Sequence, residues 1–332
     1  MRRFLPDTFT ILLILTVGFA SILPISGAPA DGFALATKVA IGLLFFLHGA
    51  RLSRDVVIAG LLHWKLHLAI LAATFGLFPL LGLAAGFVPE SVLPPALYAG
   101  LLFLCLLPST VQSSIAFTSM AGGNVPAAIC AASASNILGM FLTPLLVGLL
   151  FTASGQGGFS FGALEQILLQ LLAPFILGQI LQPWIGAFIR ARKTLLMPVD
   201  RGSILMVVYL AFSEAVTEGL WHTFLIRDLA VVIGLDILLL AIVLVVTMFG
   251  SRLLGFSRQD EITITFCGSK KSLASGVPMA NVIFAGQSIG SIVLPLMLFH
   301  QIQLMACAVI AQKYAERGRR LEAEAVPVAT QA

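Results

Sequence analysis

Cys267-Gly268-Ser269-Lys270-Lys271-Ser272 lies inside an otherwise apolar segment that runs from Ile262 to Phe284. A lysine at the centre of a bilayer costs roughly 2.5–3.5 kcal/mol even on the milder insertion scale. Gly276 and Pro278 follow within one to two turns, so the segment is expected to break or kink here. Broken helices at membrane depth persist only where the freed backbone lines a cavity or packs on protein. A break that carries charge is the usual address of a transporter binding site. The alternative is that both lysines end a helix and snorkel to the interface. It is disfavoured because apolar residues continue from Leu273 to Phe284.

The composition agrees with a membrane setting. The chain has 332 residues, of which 59% are hydrophobic and 10% charged, with a mean hydropathy of +1.03. A soluble domain carries about 25% charged residues. The apolar runs are about twenty residues long and lack period-two alternation, which selects helices over a barrel. The net charge of +4 forms no basic face apart from membrane-flanking loops, so nucleic acid is not an expected partner. Cys105, Cys130, Cys267 and Cys307 all fall in apolar runs without ligand spacing, and neither a disulfide nor a metal is indicated.

Along the chain, Arg2-Arg3 precede a first apolar run from Phe9 to Ile25. The following Ser26-Gly27-Ala28 resembles a signal-peptide cleavage site, but a retained first span is favoured by the symmetry argued below. Further spans are expected from about Phe33 to Leu52, from His67 to Phe87, and from near Ala96. This fourth span is interrupted too: Leu107-Pro108-Ser109-Thr110-Val111-Gln112-Ser113-Ser114 places a proline and a polar run at mid-membrane. Such hydroxyl and amide groups can re-satisfy a broken backbone. After the turn signal Ala121-Gly122-Gly123-Asn124, a fifth span begins at Val125 and carries Ser133, Ser135 and Asn136. A Gly-rich stretch precedes the sixth span, Leu164 to Ile189. The seventh, Ile204 to Leu220, contains Glu214, and the eighth, Leu229 to about Leu254, contains Asp236 near one end. The ninth holds the lysine pair, and the tenth, Ile289 to about Ala311, holds His300, Gln301 and Gln303.

Charge placement tests this count. With the N-terminus inside, fifteen of the nineteen Lys and Arg fall on the inner side, Arg227 alone falls outside, and Lys38, Lys270 and Lys271 lie within spans. So lopsided a split predicts ten spans with both termini cytoplasmic, in the inner membrane of a bacterium. Ten divides into five plus five, and an odd number per half inverts the second half. The expected organisation is a first repeat over 1–153, a linker over 154–163, an inverted second repeat over 164–316 and a flexible tail over 317–332. The fourth and ninth spans, the two interrupted ones, then become equivalents.

These motifs look like the bile acid:sodium symporter superfamily. They are Leu107-Pro108-Ser109-Thr110-Val111-Gln112-Ser113-Ser114, Gly122-Gly123-Asn124, Asp260-Glu261-Ile262-Thr263 through Lys270-Lys271-Ser272-Leu273-Ala274, Pro278-Met279, and Leu294-Pro295-Leu296 with His300-Gln301. More narrowly they resemble its bacterial branch related to sodium/bile acid cotransporter 7, over about residues 5–316. The resemblance implies an all-α membrane protein in which spans 1, 2, 6 and 7 form a panel and spans 3–5 and 8–10 a core. Helices 4 and 9 cross at their breaks, and substrate enters between core and panel. It also implies sodium bound by side chains of the breaks and the fifth span, with an acidic residue in the ninth. Here that ninth-span position corresponds to Thr265, with Ser269 where an amide is usual. A hard cation wants oxygen ligands and is repelled by a neighbouring ammonium.

The candidate substrate and ion ligands are therefore Thr110, Gln112, Ser113, Ser114, Ser133, Asn136, Thr265, Ser269, Lys270, Lys271 and Ser272, with sodium assigned to Ser113, Ser114 and Asn136 if it binds. Glu214, His300 and Gln301 are candidates for gating or proton coupling. Adjacent helical residues point about 100° apart, so one lysine at most is expected to face Glu214. The expected function is alternating-access symport of a small organic anion with sodium or a proton, a lysine standing in for one cation or binding the anion. On this reading Lys271→Ala or Glu214→Ala abolishes transport and spares folding. The competing reading is a regulatory or scaffold membrane protein on the same fold, acting in ion homeostasis or envelope assembly. An enzyme is disfavoured because no nucleophile–base pair or metal-ligand cluster stands out.

Overall fold

In lipid, a long apolar segment satisfies its backbone by becoming a helix, and all regular structure among the described residues is helical. The computed structural model describes residues 8–51, 63–153, 161–217, 225–284 and 288–325. Arg2-Arg3, Arg54, most of the Gly-rich linker and the last seven residues of the tail lie outside this set.

The first half contains α1 (Thr8–Ile22), α2 (Ala28–Arg51), α3 (Trp64–Ala72), α4 (Phe78–Ala85), α5 (Pro95–Leu106), α6 (Gln112–Met120) and α7 (Val125–Ala153). A single π-helical turn, Ala73–Leu77, joins α3 to α4 without a loop. The second half contains α8 (Phe161–Ala191), α9 (Lys193–Thr217), α10 (Ile226–Leu253), α11 (Arg258–Gly268), α12 (Leu273–Ile283) and α13 (Ile289–Ala325). Six helical stretches are long and apolar enough to cross a bilayer unaided: Ala28–Arg51, Trp64–Ala85, Val125–Phe151, Leu171–Ala191, Ile226–Leu253 and Ile289–Arg320. The chain is thus a multi-pass membrane protein. Its periphery is apolar, with Leu15, Val39, Leu80, Leu149, Trp184 and Phe249 all exposed, as lipid-facing side chains must be.

Both expected interruptions exist. The first separates α5 from α6 at Leu107–Val111, and Leu107 adopts extended backbone angles. The second separates α11 from α12 at Ser269–Ser272, where Ser272 caps the new helix by accepting the Ser275 N–H at 3.2 Å. Gly276 and Pro278, expected to cause the break, lie inside α12 instead. The lysines and serines themselves form the interruption. Gly276 serves packing, since a Cβ there would collide with Leu107 and Leu296.

Outside the breaks, α2 lies along α8 and α1 along α9. The α2–α8 crossing is a backbone contact: a Cβ on Gly49 would strike the Phe175 carbonyl, and one on Gly178 the Phe46 carbonyl. Each helix therefore offers a Phe-x-x-Gly unit to the other, a close-approach device common in membranes. All four cysteines are buried and unbridged.

At the head of α11, Glu261 accepts from Arg252 and from the Tyr314 hydroxyl, both at 2.7 Å. Burial alone would raise this carboxyl, but those hydrogen bonds and the charges of Arg252 and Arg317 prevail and hold it below the usual carboxylate range. Its stabilising contribution is therefore complete above the ordinary glutamate value and is lost as acidification titrates it. Glu261→Gln is expected to lower stability by about 1 kcal/mol at neutral pH and to flatten the acid side of a melting-temperature profile. An unchanged acid side would remove the triad from the account.

Candidate functional site

Breaking a helix frees carbonyls, and the two breaks meet so that each supplies what the other lacks. The Ser272 N–H donates to the Pro108 carbonyl at 2.9 Å. Ser109 donates its hydroxyl to the Cys267 carbonyl at 2.5 Å, and Ser114 donates to that of Phe266 at 3.1 Å. Nearer one end, the Asn124 N–H lies 3.2 Å from the Gln259 carbonyl and 3.0 Å from the Thr263 hydroxyl, and its side chain donates to Asp260. The fifth span adds Asn136, which donates to the Ser109 carbonyl at 2.7 Å and accepts from Ser275 at 2.7 Å. Ser135 accepts the Ser109 N–H, and Thr143 donates to the Leu106 carbonyl.

Lys271 occupies the centre of this arrangement. Its side chain is fully buried, and its ammonium donates to the carbonyls of Thr74 and Cys105 at 2.8 Å and of Leu107 at 2.7 Å. Two of these oxygens are released by the end of α5, and the third comes from the π turn, a bulge type frequent at functional sites. The Phe78 ring lies 4.1 Å from the same nitrogen. Burying an ammonium costs several kcal/mol after relaxation. Three charge-assisted bonds at about 1.5–3 kcal/mol each offset it. The backbone of Lys271 is clamped as well: Gln303 accepts its N–H and donates to its carbonyl, both at 2.9 Å, while facing His300 Nδ1 at 3.0 Å.

Lys270 is also fully buried but has a different environment. Its ammonium sits 3.9 Å from the Phe117 ring and 5.6 Å from Phe266, with no hydrogen-bond partner among the described residues. A desolvated cation–π contact is worth about 2 kcal/mol, which does not offset several. Glu214 is half-buried on α9. The contacts shown for the two lysines lie elsewhere in this conformation: Lys271 bonds three carbonyls and Lys270 faces rings.

The hydroxyl candidates divide into two groups. Thr110 lies 2.6 Å from Ser113 and 3.1 Å from Ser114, giving a cluster of three oxygens. Asn136 belongs instead with Ser109, Ser135 and Ser275, so its oxygen does not join Ser113 and Ser114. Ser269 donates to the Thr265 carbonyl at 2.6 Å, and the Thr265 hydroxyl is buried without a hydrogen-bond partner among the described residues. Ser272 acts as a helix cap, Gln112 is exposed at the start of α6, and Ser133 and Gln301 are half-buried. Sequence reasoning named Gln303 in the tenth span without making it a candidate, and it passed over the π turn. The spacing of His300 and Gln303 sets both on one helical face, a usable signal, whereas Ala73-Thr74-Phe75-Gly76-Leu77 carries none.

The model of the SBF-like CPA transporter family (DUF4137) matches residues 7–316. The chain is 59% identical over 318 residues to "Uncharacterized protein PA2026" of Pseudomonas aeruginosa, covering 95% of each chain. It is 54% identical over 319 residues to "Putative symporter YfeH" of Escherichia coli K12, covering 96% of each. Identity to sodium/bile acid cotransporter 7 of Rattus norvegicus is 27% over 319 residues, covering 93% of each.

Proposed function

The chain belongs to the SBF-like CPA transporter family, and from that premise we propose a division of labour between its two buried lysines. The protein is a membrane transporter of this family and not an enzyme. Lys271 acts as a tethered cation: its ammonium fills a cage of backbone oxygens that a free ion would otherwise fill. Lys270 binds the transported species, a small organic anion, when the core opens. The observation that carries this reading is the contrast between neighbours, three carbonyls bonded to one ammonium and, among the described residues, no hydrogen-bond partner for the other.

The rest of the transport cycle is inferred around that pair. Ten spans in two inverted repeats, over 1–153 and 164–316, give a core that carries the crossed breaks and a panel that includes the α2–α8 crossing. Alternating access follows when the core moves against the panel. The lysine and arginine bias puts both termini in the cytoplasm of a bacterial cell. The sodium/bile acid naming of relatives supports an amphipathic organic anion as substrate. The hydroxyl cluster of Thr110, Ser113 and Ser114 is the place where sodium would enter, if sodium is coupled.

Thermal melting of the purified protein with an organic-anion panel, taurocholate included, tests this in sodium and in potassium. Ligand at 100 times its Kd adds about 2.7 kcal/mol of stability. The expected result is stabilisation by an anion in either salt, lost in Lys270→Met. Stabilisation that requires sodium and survives Lys270→Met would overturn the division of labour and favour the hydroxyl cluster.

A further inference from the structure

Asp236 is a fully buried acid that nothing above uses. It lies ten residues into α10, which at 1.5 Å per residue is about 15 Å from the start of that helix. That is half the thickness of a hydrocarbon core of about 30 Å. Its side chain is fully buried, and neither carboxyl oxygen has a hydrogen-bond partner among the described residues. Helix α10 packs against α11, α13, α4, α5 and the π turn. Their interior titratable groups are Cys267 on α11, His300 and Cys307 on α13, and Tyr98 and Cys105 on α5. The π turn and α4 have none. Of these, His300 faces Gln303, while Glu261 at the head of α11 is held by Arg252 and Tyr314. The Cys105 carbonyl accepts from the Lys271 ammonium.

An ionised carboxylate without a partner at this depth costs several kcal/mol, and a neutral carboxyl far less. We propose that Asp236 is a proton-binding site of the transport cycle, neutral in the described conformation and exchanging one proton with water when the core opens. The exchange is –COO⁻ plus H⁺ giving –COOH, with no other bond changed. The proton on Asp236 changes the net charge of the core by one unit. This rests on the transporter reading for its coupling role, and on the burial of Asp236 alone for its proton.

Two measurements separate those parts. Infrared spectra at neutral pH should contain a carboxylic-acid carbonyl band that Asp236→Asn lacks and Asp236→Glu retains at a shifted frequency. In proteoliposomes, an inward proton gradient should drive accumulation of labelled taurocholate by the wild type. Asp236→Asn should exchange the label without accumulating it. Superimposable wild-type and Asp236→Asn spectra, or gradient-driven accumulation by Asp236→Asn, would overturn the proposal. If the wild type moves no taurocholate, the choice of substrate fails on its own, and the infrared comparison still decides the proton site.

Discussion

Lys271→Ala is expected to reduce anion flux to background and to cost about 3–5 kcal/mol of stability, the range for removing one member of a buried charge arrangement. The carbonyls of Thr74, Cys105 and Leu107 would lose their common donor, and each unsatisfied buried acceptor costs about 1–3 kcal/mol. The cage itself would remain, because Gln303 and the cross-break bonds fix the backbone around it. A small cation should then bind where the ammonium was, and methylammonium or sodium should raise the melting temperature of Lys271→Ala well above its value in choline. The sequence alone suggested that this substitution would spare folding; the three-carbonyl cage argues otherwise. Wild-type stability and flux in Lys271→Ala would end the tethered-cation account.

Gly178→Val carries the second large effect. Its Cβ would fall far inside van der Waals contact with the Phe46 carbonyl, and a backbone carbonyl cannot swing away as a side chain can. The α2–α8 pair must separate, at about 3 kcal/mol or more for overpacking of this kind. Gly42→Ala and Gly234→Ala are the matched controls, since nothing lies within 4 Å of a Cβ at either. They should be neutral or slightly stabilising by helix propensity. Detergent melting temperatures of the four proteins decide the point: equal values for Gly178→Val and Gly42→Ala would mean the crossing is not a close contact.

Much of the fold was legible because hydrophobic length is a strong signal. Helices such as Val125–Ala153 and Ile226–Leu253 are announced by runs that no soluble protein needs. The two interruptions were legible because lysine, serine and proline are costly at that depth. Their boundaries were less so. Gly276 and Pro278 seemed to be breakers and proved to be helical: Pro278 lies in the middle of α12, and the missing Cβ of Gly276 admits Leu107.

The site was legible by residue type rather than by partner. The sequence marks Lys270 and Lys271 as exceptional, but not which one meets oxygen. That depends on where freed carbonyls point, and backbone oxygens have no letter in a sequence. The same holds for Thr74, which contributes through its carbonyl and would look ordinary in any scan. For Asp236 the sequence shows a place along its span, but not that neighbouring helices bury the side chain completely.

The reach of the cross-break bonds in sequence has a consequence for biogenesis. The Leu107 carbonyl waits for a lysine 164 residues later in the chain, and Ser109 for a carbonyl 158 residues later. At about 5–20 residues per second of synthesis, the ribosome needs roughly ten to thirty seconds to supply them. During that interval the fourth segment is a broken span without its mate, a form that hydrocarbon does not tolerate. The insertion machinery must shelter it until the ninth segment emerges, and a nascent chain arrested near residue 153 should remain in contact with that machinery rather than partition into lipid.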